Sequence, residues 1–251
     1  MNRLEEALAQ AFQEFQKRVM RRALEEMERG ILEEEQGRVV KKGKGERYLC
    51  TRFGWIRYER QKVRYLREGG KRYGFPLDEA LGLRPYQQGT DWVRKRGIEL
   101  ACDHPYRQAA ELLAQEIGEV LSHRTLHRWM QEEGRRLGRE EEAKRRRVFE
   151  EGDTLEGEGE EREIVVVEVD GTMLSSQEER GERFEVKLGL MYTGKELESK
   201  QAKRKRYRLK EKVLYGGVEE AEAFGEKLYL KGEGRLHLGG ARHLLFIGDG
   251  G

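Results

Sequence analysis

The sequence predicts an α+β N-terminal region containing a helix-turn-helix, followed by a C-terminal α/β sheet domain. Three observations carry this prediction. An amphipathic stripe opens the chain, two segments of helical period meet at Gly118, and two apolar runs, IVVVEVDG ending at Gly171 and LLFIGDG ending at Gly250, both close on Asp-Gly. Runs of β-branched and large apolar residues suit strands covered on both faces of a sheet. Asp170 and Asp249 are therefore expected where two core strands run out into solvent. Two carboxylates so placed are a usual way to hold a divalent metal, with the sheet supplying rigidity. Asp-Gly is also a common turn pair, which is the plainer reading for either aspartate alone. The repeated strand–Asp–Gly ending favours the metal.

At 251 residues the chain has room for one large domain or two smaller ones. Charged residues make up 39% and hydrophobic residues 36%, so apolar material must be concentrated in a few elements. The near balance of 50 basic and 48 acidic residues hides segregation. From Arg38 to Arg72 there are 13 basic residues against three acids, and from Lys200 to Lys212 eight against one. From Glu150 to Glu163 there are eight acids against one arginine. Basic blocks on a balanced chain point to a polyanionic partner, most often nucleic acid. The two cysteines, Cys50 and Cys102, make neither a disulfide framework nor a zinc ribbon, which points to a reducing, cytoplasmic setting. The sequence shows neither a secretory signal nor a membrane-length apolar run.

Residues 3–35 read as one helix, with Leu4, Leu8, Phe12, Phe15, Val19, Ala23, Met27 and Ile31 at steps of three or four. The stripe suits either a dimerisation arm, giving a homo-oligomer, or a helix packed on its own domain. Gly37 to Gly45 reads as a basic linker. Glu46 to Leu66 reads as a hairpin turning at Phe53-Gly54, with aromatic residues interleaved with Arg and Lys. Such a hairpin suits a phosphate backbone, or a small sheet with a solvated basic face. Phe75 to Leu83 forms a short docked segment, and a helix follows from Gln87 to Ala101.

The next segment has helix-turn-helix spacing. A helix from Tyr106 to Gln115 would bury Ala109, Leu112 and Leu113, and Gly118 falls where the connection needs a permissive backbone. Ser122 would cap a second helix that buries Leu126, Trp129 and Met130. That helix presents His123, Arg124, His127 and Arg128 near its N-terminal end, where base-reading side chains sit. His123 and His127 also have the spacing of a metal pair, but no third ligand lies nearby in sequence. A charged helix continues to Phe149, and the acidic stretch 150–163 reads as a linker. Beyond it come strands ending at Asp170, from Phe184 to Tyr192 and around Tyr207 to Leu214. A helix from Glu219 to Leu230 and a last strand ending at Asp249 complete the run. Three strands, a helix and a fourth strand, with acids closing the first and fourth, is the order of an RNase H-like core, here partial.

From Tyr48 almost to the C-terminus the chain resembles the ISLre-type bacterial insertion-sequence transposases. The resemblance is carried in order by FGWIRYERQKVRY, LDEALGL, YRQAAELL and LSHRTLHRWMQ, VEVDG, FEVKLGLMYTG and IGDGG. It implies a DDE transposase with an RNase H-like domain that cuts and joins DNA ends using two Mg²⁺ ions, or Mn²⁺ in their place. Asp170 then matches the first acid of the triad and Asp249 the second, with Glu168 as a supporting acid on the same face of the strand. Lys187 and the basic run holding Lys203, Arg204, Lys205 and Arg206 would position the DNA backbone, and the helix-turn-helix would read the element's terminal repeats in double-stranded DNA. The family continues past its GDG motif to a third acid, whereas this sequence stops at Gly251. The expectation for the 251-residue chain is DNA binding without strand cleavage, and a C-terminal domain with an exposed apolar sheet face. A DNA-binding fragment acting as a repressor is the rival reading.

Overall fold

The computed structural model describes residues 2–67, 70–155, 157, 161–176, 181–198 and 206–248. Asp249, Lys203, Arg204 and Lys205 lie outside the described residues. The chain is mixed α and β and divides into two compact units, Met1–Arg135 and Arg136–Gly251. The division falls inside a long helix, upstream of the acidic stretch 150–163.

The first unit opens with α1 (Asn2–Glu34), close to the span its stripe predicts. Its packing face differs from that stripe. Leu24 is buried with Met20 and Ile31 against the sheet, whereas Leu4, Leu8, Phe12, Phe15 and Val19 are exposed. The helix is instead anchored midway by polar side chains. Gln13 Nε2 donates to the Ile117 carbonyl at 2.8 Å, and Lys17 Nζ pairs with Glu119 at 2.9 Å.

Strands β1 (Val39–Thr51), β2 (Gly54–Arg67) and β3 (Gly70–Gly74) form an antiparallel sheet in that order. The hairpin turns at Phe53-Gly54 as its sequence indicates, and Thr51 Oγ1 accepts from the Phe53 N–H at 3.1 Å. The basic segment 37–45 is strand for most of its length and not a linker. Val39, Val40 and Lys41 pair with Tyr65, Arg64 and Val63, and a bulge at Gly43, with φ of 142°, shifts the register beyond them. Glycine supplies that backbone angle without a side-chain clash. A short helix α2 (Pro76–Ala80) follows and buries Leu77.

Helices α3 (Asp91–Asp103), α4 (Tyr106–Ile117) and α5 (His123–Phe149) share a core of Val93, Leu100, Leu113, Ile117, Leu126 and Trp129. Gly118 ends α4 in the left-handed region, with φ of 70°, an αL C-cap that a glycine adopts at least cost. Ser122 precedes α5, and its Oγ accepts from the Arg124 N–H at 3.2 Å, which satisfies one of the helix's free amides.

In the second unit the main sheet comprises β4 (Ile164–Ser175), β5 (Arg183–Tyr192), β8 (Val213–Gly217) and β9 (His243–Ile247). Strands β6 (Gly194–Leu197) and β7 (Tyr207–Lys210) make a separate ribbon, so the single strand expected over 207–214 is divided between two sheets. The main sheet runs β8-β5-β4-β9, antiparallel except that β9 lies parallel to β4. Helix α6 (Ala221–Leu236) makes the crossover and covers one face, burying Phe224, Leu228 and Leu236 against Val165, Val167, Met191 and Val213. The opposite face carries Ile164, Leu188, Leu214, Leu245 and Ile247, all exposed.

Candidate functional site

Strand β4 does not end at Asp170. It continues to Ser175 because Asp170 pairs with Leu188 and the β4–β5 hairpin runs on to the Ser175–Arg183 pair. Side chains alternate along the strand, so Glu168 and Asp170 share a face, opposite to Val165 and Val167 and therefore opposite to α6. Asp170 is exposed. Glu168 is half-buried and accepts a hydrogen bond from the Tyr192 hydroxyl at 2.7 Å, an interaction that, with burial, raises the Tyr192 pKa. Among the described residues Asp170 thus has no side-chain partner and stands beside a carboxylate already oriented by a neighbour.

The parallel strand β9 pairs Val167 with Phe246 and Glu168 with Ile247. Asp249 lies outside the described residues, so its separation from Asp170 is not a property of the described structure. Among the described residues no cluster of three or more His, Cys, Asp or Glu side chains is arranged to hold a metal ion. Two exposed or half-exposed oxygen donors on one face suit a hard cation such as Mg²⁺ or Mn²⁺ better than a soft one.

Lys187 does not join the two acids. Register places it opposite Gly171, on the α6 face, where its ammonium pairs with Glu185 at 2.7 Å and donates to the Glu219 carbonyl at 3.0 Å. It belongs to a polar network in which Glu219 accepts from Tyr215 at 2.7 Å and Lys227 at 2.8 Å, tying the start of α6 to β8. A cleft of about 510 Å³ between α6 and the sheet borders Lys187, Glu185 and Gly171 and reaches Asp170 at its edge. Arg206 is exposed just before β7.

In the first unit the N-terminal turns of α5 present their predicted side chains outward. Arg124, His127 and Arg128 are exposed and His123 is half-buried. Arg124 makes no side-chain pair among the described residues. His127 meets the Tyr106 ring edge-on at 5.1 Å, and Arg128 donates to the Gln88 amide oxygen at 3.3 Å. Sequence reasoning passed over one prominent cluster here. Arg47 and Arg60, on adjacent strands, converge on the buried carboxylate of Asp78 from α2, with Arg47 at 2.6 Å. Its one sequence signal is an acid three residues into a short Pro-led helix, opposite a strand rich in arginine.

The chain matches the profile of the uncharacterised protein family UPF0236 over residues 1–230 and belongs to that family. It is also similar to the "UPF0236 protein in vanSb 3'region" of Streptococcus gallolyticus, 26% identical over 148 residues. That match covers 59% of this chain and 30% of the relative, so the chain corresponds to under a third of that protein's length. Among the described residues no helix is long and apolar enough to cross a membrane.

Proposed function

We propose that this chain is part of a DDE-type DNA transposase of the ISLre kind, built on an RNase H-like sheet and a helix-turn-helix. It would bind the ends of a mobile element in double-stranded DNA and catalyse metal-dependent strand cleavage and transfer. The observation that carries the reading is the parallel strand β9 inserted beside β4 in an otherwise antiparallel sheet. Ile247, two residues before Asp249 in sequence, is paired with Glu168, two residues before Asp170. The two Asp-Gly motifs are therefore approached by adjacent strands in matched register, as a shared divalent site requires.

Asp170, Asp249 and Glu168 would hold the metal. Divalent ions, when bound, supply activation of the attacking oxygen and neutralise the leaving oxygen during in-line displacement at phosphorus. The chain's acids fix where that charge sits, and the rigid β4–β5 hairpin keeps Asp170 in place. In the first step a water oxygen bonds to phosphorus and the bond to the 3′ oxygen breaks, freeing a 3′-hydroxyl. In the second step that hydroxyl attacks a target phosphodiester, forming one phosphorus–oxygen bond and breaking another. The exposed Arg124 and Arg128, with His123 and His127, would enter the major groove, while Arg206 and the run Lys203–Arg206 would contact backbone phosphates.

The test uses purified protein with DNA fragments carrying the sequences that flank the gene. Binding should weaken steeply with added salt, because phosphate contacts release counterions. Arg124→Ala with Arg128→Ala should weaken flanking-sequence DNA about tenfold or more beyond its effect on random DNA. Equal loss on both would remove the recognition-helix assignment. Cleavage by the full-length protein in Mg²⁺ or Mn²⁺ should vanish in Asp170→Ala with DNA binding retained. Cleavage that survives that change would sink the metal-site assignment.

A further inference from the structure

A groove of about 990 Å³ in the first unit lies among β1, β2, the end of β3, α2 and the loop before α3. Five aromatic rings line it, those of Tyr48, Trp55, Tyr73, Phe75 and Tyr86. Tyr48 and Tyr73 are about half exposed, and Tyr86 is 97% exposed. Scattered surface tyrosines need no explanation, but several opening on one groove mark a binding surface.

Three of these rings carry a cation. The Arg57 guanidinium stands 5.6 Å from the Tyr48 ring centre, that of Arg60 3.9 Å from Phe75, and the Lys62 ammonium 5.8 Å from Tyr73. Beneath the groove Arg60 and the buried Arg47 share the carboxylate of Asp78, and on its wall the exposed Glu46 and Glu79 pair with Arg57 and Arg72. Asp78 Oδ1 and Arg60 Nε are both buried with no hydrogen-bond partner among the described residues.

The loop bearing Tyr86 is built to hold that ring out. Arg84–Pro85–Tyr86–Gln87 form a turn closed by the Gln87 N–H to the Arg84 carbonyl at 3.2 Å. Tyr86 has φ of 59°, at the position of a proline-led turn where glycine or asparagine ordinarily sits. A strained residue persists where its surroundings over-determine it. Here the buried Arg47 does so, donating to the Arg84 carbonyl at 2.8 Å and the Gln87 carbonyl at 3.2 Å. The next residue, Gln88, accepts from Arg128 at 3.3 Å and Thr125 at 3.4 Å. The groove and the exposed start of α5 are thus one continuous surface of this unit.

We propose that this groove binds an unpaired stretch of nucleic acid beside the duplex held by α5, its bases stacking on the Tyr48, Tyr73 and Tyr86 rings. The proposal rests on the reading of the first unit as a DNA-binding unit. Stacking on aromatic side chains takes any base and needs the bases out of the duplex, while the exposed Lys62 ammonium beside Tyr73 and the exposed Arg57 beside Tyr48 meet the phosphates. The exposed cations at the rings, together with Arg124 and Arg128 on the same surface, favour nucleic acid over a proline-rich peptide, the other ligand that aromatic grooves accept.

Fluorescence anisotropy with three labelled probes tests it: a blunt duplex, the same duplex with an unpaired oligo(dT) tail, and oligo(dT) alone. The tail should tighten binding. Tyr86→Gly and Tyr48→Ala should each lose about tenfold on the tailed duplex and on oligo(dT), and nothing on the blunt duplex. Arg124→Ala should weaken both duplexes. Because glycine suits the turn better than tyrosine, Tyr86→Gly should melt no lower than the parent chain, which separates lost stacking from lost folding. Equal affinity for blunt and tailed duplex overturns the proposal and leaves duplex binding intact, as does displacement of the tail by a proline-rich peptide but not by oligo(dT). Failure to bind any probe overturns the DNA-binding reading as well.

Discussion

Asp78 shows how much one side chain can carry. It is 6% exposed and holds two arginines, and one of them pins the turn that bears Tyr86. Replacing a buried ion pair as a whole is often harmless, but removing one partner strands the others. Asp78→Ala leaves Arg47 and Arg60 charged in a site that excludes water, with no carboxylate to answer them. The expected loss is about 3–5 kcal/mol of stability in the first unit, read from urea denaturation followed by circular dichroism. A loss below about 1 kcal/mol would mean that water reaches both guanidinium groups. Cys50 belongs to the same interior: burial, with the nearby Glu119 charge, pushes its thiol up to about 12. It behaves as a small apolar side chain in the helical core and not as a nucleophile.

At the scale of elements, α6 is joined to the sheet in two different ways. Apolar packing supplies most of the contact, and Gly189 of β5 lets it approach, since a Cβ there would meet Leu228 Cγ at 3.2 Å. The polar network at the helix start supplies a pH dependence. Burial alone would push the Glu219 carboxyl up, but hydrogen bonds from Lys227 and Tyr215 outweigh it and hold the group below the ordinary 4.5. The folded state therefore favours ionised Glu219. Its contribution is fully present above the unfolded-state value and is lost as pH falls through the lower folded value. Glu219→Gln should accordingly be less stable than the parent chain at neutral pH. The difference should shrink on acidification below the ordinary carboxylate range, as urea midpoints of both proteins across that window would show. A gap that stays constant with pH would assign the loss to packing instead.

For the whole molecule, α1 leaves a row of large apolar side chains exposed. Its C-terminal half docks on the sheet through Leu24, but Leu8, Phe12, Phe15 and Val19 repeat at steps of four, three and four along an exposed face. That spacing matches the seam of a two-helix coiled coil, and a second copy of the same helix would cover it. Homo-oligomerisation through α1 predicts that sedimentation will show a species larger than one chain. Phe12→Glu with Phe15→Glu should shift it to the monomer without lowering the melting temperature of the sheet that Leu24 packs on. A parent chain that sediments as a monomer at high concentration would rule out this use of the stripe.

Much of this architecture is legible in the residues. Hydrophobic period gives the β1–β2 hairpin, the α4–α5 pair and the strands β4, β5 and β9, because burial of one face imposes the repeat that the eye finds. It also gives the span of α1, although that helix packs on the sheet through Leu24 and leaves most of its stripe exposed. Gly118 and Ser122 mark a helix end and a helix start through backbone chemistry that acts within a few residues. Asp170 and Glu168 could be placed on one face for the same local reason. What the sequence could not determine depends on partners distant along the chain. Segment 37–45 reads as a linker until β2 pairs with it, and β4 runs past Asp170 because β5 continues alongside. Lys187 reads in sequence as a contact to the DNA backbone, and only the register of β5 against β4 sets it on the face opposite to Asp170. The meeting of Arg47, Arg60 and Asp78, and the turn that lifts Tyr86 from their edge, joins residues from two strands, a helix and a loop. Composition and spacing fix which faces are apolar, since that is a property of neighbours in sequence. Which faces meet, and which polar groups share a site, is set by strand register and chain crossing, which only the folded structure decides.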